Sequence, residues 1–257
     1  MKRQNLKSQP FLVEVRLNPA KIPSWEEYPF NLPAVRHIES VRFHPSVTFF
    51  VGENGTGKST LLEAIATGMG FNPEGGSRNF RFATRMTHSP LHGAMRLSRS
   101  ARRQRDGYFF RAESYYNVAT EIDELDEQPS FGPPIKDSYG GRSLHEQSHG
   151  ESFLALFANR LGGEGLYIVD EPEAALSPTR QLSLLSMIHE LVLRGSQFII
   201  ATHSPILMAY PKAKIYLLTE NALEEVDYTA TEHFSLTRAF LNDHRAMLRR
   251  LLGQDVV

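Results

Sequence analysis

Residues 52–60 read GENGTGKST and carry the phosphate-binding pattern G-x-x-x-x-G-K-[ST] at Gly52, Gly57, Lys58 and Ser59. The glycines let backbone N–H groups curl around a string of phosphates, and Lys58 can reach the β- and γ-phosphates. The Ser59 hydroxyl is a hard oxygen donor for Mg²⁺. Glu53, Asn54, Gly55, Thr56 and Thr60 complete the cradle. Such a loop works between a strand and a helix whose N-terminus faces the anion. Residues 46–51, SVTFFV, form the β-branched and aromatic run of a buried strand, and residues 61–69, LLEAIATGM, read as that helix. At average residue usage the four fixed positions arise by chance in a chain of this length roughly once in a hundred. The chain is expected to bind a nucleoside triphosphate.

With 257 residues, 41% hydrophobic and 22% charged, the chain suits one globular domain spanning 1–257. A net charge of −1 supplies no global attraction to nucleic acid or to an anionic membrane, so any such contact must be local. The absence of cysteine excludes disulfides and thiolate metal sites. The N-terminus, MKRQNLKSQPFLVEVRL, has no apolar core of signal-peptide length, and no run approaches the ~20 apolar residues of a spanning helix. A soluble cytoplasmic protein is expected.

Along the chain, residues 11–17 alternate apolar and charged side chains, as a strand with one wet face does. Prolines 19, 23, 29 and 33 break the next stretch into a loop, and 35–43 reads as a second strand. Between Arg78 and Arg111 there are nine arginines against one acidic residue, Asp106, and six acidic residues follow between Glu113 and Glu127. This region, about 72–147, is expected to be an inserted helical and loop lobe. Helices are expected over 151–161, 179–193 and 232–252, and strands over 166–170, 197–202 and 214–218. Strands alternating with helices imply an α/β fold: a mostly parallel sheet flanked by helices, with N-terminal antiparallel strands and the smaller lobe.

Three further segments carry chemistry. Residues 165–172, GLYIVDEP, form an apolar strand ending in two acids, which places carboxylates at the sheet edge where open α/β sheets bind ligands. Asp170 can hold Mg²⁺ opposite Ser59, and Glu171 is placed to polarise a water. Residues 197–204, QFIIATHS, deliver His203 to the same edge, where its N–H could donate to a developing charge. A hydrogen-bonded filler is the plainer role of a lone histidine. Residues 148–152, SHGES, open a helix. Ser148, Gly150 and Glu151 there make either an ordinary capping turn or a second anion site. One nucleotide does not need two anion sites from one chain. Two chains packed head to tail would use both.

The phosphate loop, the S-x-G-[EQ] signature, the D-E-P strand end and the histidine resemble, in order and spacing, those of ABC-type ATPases, over about 41–205. DEPEAALS stands against the usual D-E-P-T-S-A-L-D, so Ser177 replaces the customary aspartate. SHGES resembles the signature of SMC-like ATPases of DNA repair and defence more than the L-S-G-G-Q of transporters. Residues 107–111, GYFFR, resemble the strand before the family's glutamine loop, but Arg111 stands in place of the glutamine and Gln104 comes too early. The stretch between Lys58 and Ser148 is too short for a coiled-coil arm, so the chain is similar to short, stand-alone ATPases of the SMC-like branch. The resemblance implies a homodimer closing around two ATP and two Mg²⁺. Lys58, Glu171 and His203 would be its catalytic residues, Ser59 and Asp170 its metal ligands, and the partner's signature would cap the γ-phosphate. An aromatic residue usually supports adenine. Tyr28 and Phe30 are the candidates, with core packing the plainer role for each.

Arg96, Arg99, Arg102, Arg103 and Arg105, followed by Tyr108, could track a nucleic-acid backbone, or could form a solvated lobe neutralised by the acidic stretch. Two functions follow. One is an ATP switch acting on DNA or with an effector protein in repair, maintenance or defence. The other is the nucleotide-binding subunit of an ABC membrane transporter. Arg111, SHGES and Ser177 favour the first. A binder without turnover is disfavoured by the presence of Glu171 and His203.

Overall fold

The computed structural model describes residues 9–77, 89–111, 115–127, 134–139, 141 and 149–253. The elements in chain order are β1 (Leu12–Leu17), α1 (Pro33–Arg36), β2 (Val41–Arg42), β3 (Val47–Gly52), α2 (Lys58–Gly68), β4 (Gly76–Ser77), α3 (Leu91–Ala94), β5 (Met95–Arg99), β6 (Asp106–Arg111) and α4 (Tyr115–Glu127). They continue with α5 (His149–Arg160), β7 (Gly165–Asp170), α6 (Pro178–Leu193), β8 (Gln197–Ala201), α7 (Pro205–Met208), β9 (Lys214–Leu218), β10 (Leu223–Val226), α8 (Glu232–Asn242) and α9 (His244–Leu252).

A seven-stranded sheet runs β10-β9-β3-β8-β7-β6-β4, and a three-stranded sheet runs β2-β1-β5. The five inner strands of the large sheet are parallel, while β10 and β4 join its edges antiparallel. The small sheet is antiparallel throughout. The expected α/β architecture with N-terminal antiparallel strands is therefore the architecture observed.

Strand alternation sorts the core into two layers. Phe50, Ile168 and Ile199 face α2 and the small sheet, packing with Leu61, Leu62, Ile65 and Val15. Val47, Phe49, Val51, Tyr167, Val169 and Phe198 face α5, α6 and α7, meeting Phe153, Phe157, Leu184 and Ile188. Both faces of the inner strands are covered, which is why they read as unbroken apolar runs.

A buried glutamine ties the two sheets together. Gln197, at the start of β8, accepts the N–H groups of Phe11 (2.8 Å) and Leu12 (2.9 Å) through Oε1. Its Nε2 donates to the carbonyls of Leu12 (2.9 Å) and His44 (3.1 Å). All four side-chain bonds are made to backbone, three of them buried and the one to His44 part-buried, where polar groups need a partner.

Three expectations need correction. The stretch 35–43 is not one strand. Pro33 begins a helical turn, its fixed φ suiting the first helical position, and only Val41–Arg42 pairs with β1. The arginine-rich segment is not a helical lobe where it is described. Met95–Arg99 pairs with β1, and Asp106–Arg111 is an inner strand of the large sheet. The segment 72–147 thus feeds both sheets, and the acidic stretch after it includes α4. The closing helix is two helices. Asp243 leaves helical geometry at φ −149° and caps the second by accepting the N–H of Ala246 (3.0 Å). Among the described residues no helix is long and apolar enough to cross a membrane.

Replacing Gln197 with leucine removes the bridge while nearly keeping its volume. The orphaned backbone groups cost about 1–3 kcal/mol each where they stay dry. Urea unfolding of Gln197→Leu is expected to show a loss of at least about 2 kcal/mol. An unchanged midpoint would refute the bridging role.

Candidate functional site

Parallel strands present all their C-terminal ends at one edge. In register, Phe50 of β3 lies beside Ala201 of β8, Ala201 beside Asp170 of β7, and Asp170 beside Arg111 of β6. The three loops with predicted chemistry therefore leave the sheet side by side.

The phosphate loop, residues 52–57, runs directly from β3 into α2. At Gly52 (φ +152°) a Cβ would lie 2.3 Å from the Leu218 carbonyl oxygen, so only glycine lets β9 approach this closely. Gly57 starts α2 at φ +95°. The loop is backed by α1, whose Ala34 N–H donates to the Thr56 carbonyl (2.8 Å). Thr56 Oγ1 donates to the Glu53 carbonyl (2.9 Å). Lys58 Nζ donates to the carbonyls of Gly52 and Glu53, both at 2.9 Å, so the ammonium is folded over the loop it is expected to serve. Burial lowers the Lys58 pKa, and the carboxylates of Glu171, Asp170, Glu173 and Glu53 oppose that shift without cancelling it.

Ser59 Oγ donates to Asp170 Oδ1 at 3.1 Å, although 111 residues separate the two in sequence. A hydroxyl and a carboxylate meeting in this way offer two hard oxygens, the donor type Mg²⁺ prefers, and Mg²⁺ commonly takes only one or two protein ligands beside phosphates. Among the described residues there is no cluster of three or more acidic or histidine ligands, so the oxygens fit Mg²⁺ shared with a nucleotide better than a protein-only metal cage.

Glu171 follows at φ 48°, ψ 54°, a left-handed conformation for a residue with a side chain. Its N–H donates to the Ala201 carbonyl (3.0 Å), which turns the chain and leaves the carboxylate at the rim. Glu171 Oε1 lies 3.4 Å from His203 Nε2. Glu173 binds the same loop from below. Its Oε2 accepts Thr202 Oγ1–H at 2.8 Å and its Oε1 accepts the His203 N–H. Ser204 caps α7 and donates to Gln181 Oε1 at 2.6 Å. His203 is thus held from its backbone, not merely exposed at a strand end.

Of the signature residues, Ser148 lies outside the described residues. Gly150 sits where a Cβ would come within 2.8 Å of the Ala175 carbonyl oxygen and 2.4 Å of an Arg180 nitrogen. Glu151 pairs with Arg180 of α6 at 3.1 Å. This helix start is therefore packed onto the segment behind Glu171. Ser177 caps α6 by accepting the Arg180 N–H (3.4 Å).

The remaining candidates divide. Phe30 is 2% exposed and belongs to the core, which removes it as an adenine support. Tyr28 is exposed, with its hydroxyl 3.3 Å from Thr60 Oγ1 at the start of α2. Arg111 donates to Glu63 of α2 at 2.8 Å, and Glu63 also accepts the Ser89 N–H. A guanidinium has no lone pair to give a metal, so the position that resembles the family's glutamine acts here as a brace. Tyr108 is buried and cannot stack on a base. Arg102 donates to the carbonyls of Gln9 and Gly195 and covers the Phe11 ring. Arg99 donates to Gly68, and Arg105 pairs with Glu164 instead of the acidic stretch.

Sequence reasoning missed Glu173, Glu63 and His233. His233, in the first turn of α8, puts its Nε2 3.3 Å from His203 Nδ1. Together with the phosphate loop and Thr219 it lines a cavity of about 430 Å³, a size that suits a small-molecule ligand. Glu173 was visible as a third acid in DEPE. Nothing local marks the other two.

Two family models match the chain, both described as an AAA domain, over residues 30–126 and 85–209. The description of the second also names the AbiEii toxin of type IV toxin–antitoxin systems. A curated relative, the energy-coupling factor transporter ATP-binding protein EcfA2 of Methanospirillum hungatei, is 26% identical over 229 residues, 81% of this chain. This chain spans about half of that relative, 54% of its length. Among solved structures, cbiO1 of Clostridium perfringens, part of the transporter complex cbiONQ, is 17% identical and covers 93% of this chain and 98% of its own, with a TM-score of 0.52. MJ1267, an ATP-binding cassette of an ABC transporter in its ADP conformation, is 16% identical and covers 95% and 99%, with a TM-score of 0.51. The fold is shared with these solved structures, and the two AAA-domain models together span residues 30–209 of this chain.

Glu173→Ala cuts both bonds that hold the loop carrying His203. A misplacement of about 1 Å in a reacting group can cost as much as ~100-fold in rate. The variant is expected to lose about tenfold or more in kcat while binding ATP with near-normal affinity by calorimetry. Wild-type kcat would show that Glu173 is not needed to hold the loop.

Proposed function

We propose that this chain is an ATP-driven switch that closes head to tail with a second copy around two nucleotides. The observation that carries this reading is the meeting of Lys58, Ser59, Asp170, Glu171 and His203 at one sheet edge, while Gly150 and Glu151, the described residues of the proposed signature, lie on a different element, α5. A single chain holds the phosphates, and the partner's Ser148 segment supplies the missing cap.

Hydrolysis in this reading is in-line attack of water on the γ-phosphoryl group. Glu171 orients and polarises the water. Lys58 swings from its two loop carbonyls to the β- and γ-phosphate oxygens, a low-cost exchange of one set of acceptors for another. Ser59 and Asp170 would hold Mg²⁺, which when bound neutralises charge on the β- and γ-oxygens. His203 donates an N–H to the γ-phosphate oxygens as their charge develops. Tyr28 is the remaining aromatic candidate beside the nucleotide.

For the process served, we favour the SMC-like reading, an ATPase working with an effector in DNA repair, maintenance or defence. Arg111 braced to Glu63 and Ser177 in place of the D-loop aspartate support it. DNA contact would fall to Arg96 and Arg103, exposed on β5 and in the turn after it, because Arg99, Arg102 and Arg105 already bond to groups within the chain. The second reading, a transporter's nucleotide-binding subunit, has in its favour the transporter ATPases among the relatives. A low-salt anisotropy titration with duplex DNA separates them. Binding that strengthens with ATP and falls steeply with salt supports the first, and flat curves with and without nucleotide remove DNA from it.

Glu171→Gln keeps the nucleotide site but weakens the polarisation of water. With saturating ATP and Mg²⁺ this variant is expected to run at twice the monomer mass in multi-angle light scattering. A monomer under those conditions would sink the head-to-tail model.

A further inference from the structure

Two imidazoles stand in a row behind Glu171. His203 Nε2 faces Glu171 Oε1 at 3.4 Å, and on the far side of the ring His203 Nδ1 meets His233 Nε2 at 3.3 Å. The ring centroids are 5.4 Å apart. The outer nitrogens of the pair, His203 Nε2 and His233 Nδ1, are buried and make no hydrogen bond among the described residues. His233 is held firmly. Thr231, fully buried, caps α8 by accepting the Phe234 N–H (3.3 Å), and Tyr228 donates to the Pro205 carbonyl (2.9 Å), which ties this segment to the residue after Ser204.

A contact between two ring nitrogens requires that one donate and the other accept. If His203 carried its proton on Nδ1, its bare Nε2 lone pair would face the Glu171 carboxylate, and His233 would bury an N–H on Nδ1 with no acceptor. Both features are unfavourable. If His233 instead donates Nε2–H to His203 Nδ1, the His203 proton sits on Nε2, toward Glu171. The His203 Nε2–H then points at the Glu171 carboxylate 3.4 Å away, an attractive approach outside hydrogen-bonding geometry, and His233 buries a bare acceptor, which costs less than an N–H stripped of water. The surroundings of His233 agree with a neutral ring. Burial lowers its pKa first, His203 and Lys58 lower it further, and Glu53 and Glu232 oppose them.

We propose that His233 is a positioning residue for ATP hydrolysis: by donating Nε2–H to Nδ1 of His203 it fixes the tautomer that turns an Nε2–H toward Glu171 at the sheet edge. This rests on the reading that His203 serves the γ-phosphate. Without His233, the His203 ring would sample both tautomers and rotate more freely, and the donor would be correctly placed for only part of the time.

The test uses the full chain labelled with ¹⁵N-histidine. Two-bond ¹H–¹⁵N spectra should show a protonated, pyrrole-type Nε2 and a bare, pyridine-type Nδ1 for His203 in the wild type, and an averaged pattern in His233→Ala. With ATP and Mg²⁺, His233→Ala should lose about tenfold in kcat, the order seen when a histidine loses its orienting partner. KM should move less than about twofold, as expected for an interaction realised in the transition state. His233→Gln, whose amide N–H can reach the same acceptor, should recover most of the rate and the wild-type tautomer pattern. A pyrrole-type Nδ1 on His203 in the wild type would overturn the positioning role, as would full kcat in His233→Ala or a loss that glutamine does not rescue. Wild-type turnover in His203→Ala would instead overturn the catalytic reading beneath it, and the tautomer spectra would show which of the two has failed.

Discussion

Everything at this site depends on the alignment of β3, β8, β7 and β6 in parallel register, with Phe50, Ala201, Asp170 and Arg111 level across the sheet. Parallel pairing needs crossovers of a dozen or more residues, so residues more than a hundred positions apart arrive at one edge with ångström tolerance. The Ser59–Asp170 bond depends on that alignment. So does the ability of one carboxylate, Glu173, to hold the loop after the neighbouring strand. A slip of one residue in β7 would swap its two faces and take both acids away from the phosphate loop.

Several polar groups inside this frame are committed to a structural partner. Gln197 saturates backbone of the small sheet, Glu63 anchors Arg111, and Asp106 collects the Tyr167 hydroxyl, Arg160 and the Gly162 N–H. Burial raises the proton affinity of Asp106, but the Gly162 N–H, Arg160 and the Tyr167 hydroxyl outweigh it, and the pKa is lowered. The carboxylate's share of stability is therefore present above the ordinary aspartate pKa and is lost as pH falls through the lowered folded value. The far end of β6 and β7 is in this way locked.

How much could be read in advance follows from the range of each interaction. The phosphate loop, the acids after β7 and the histidine after β8 are short patterns whose geometry is local, and the strands expected over 166–170, 197–202 and 214–218 match the observed strands to within a residue. The stretch 35–43 misled because its apolar residues suit a strand, while Pro33 and the Thr56 carbonyl recruit Ala34 into a helical turn. The arginine-rich stretch misled through composition. Charge suggested a solvated lobe, but Met95 and Leu97 alternate with polar residues on an edge strand paired with β1. His233 and Glu63 carry no local signal at all. Their roles come from a partner 30 or 48 residues away, and no spacing rule announces such contacts.

Glu171 occupies a backbone geometry that natural side chains avoid, at φ 48°. A left-handed turn costs a residue with a Cβ about 1 kcal/mol or more relative to glycine. On the proposed reading, thermal robustness and turnover pull against each other at this position. Glycine or asparagine here would relax the backbone, but only by giving up the carboxylate proposed to polarise water.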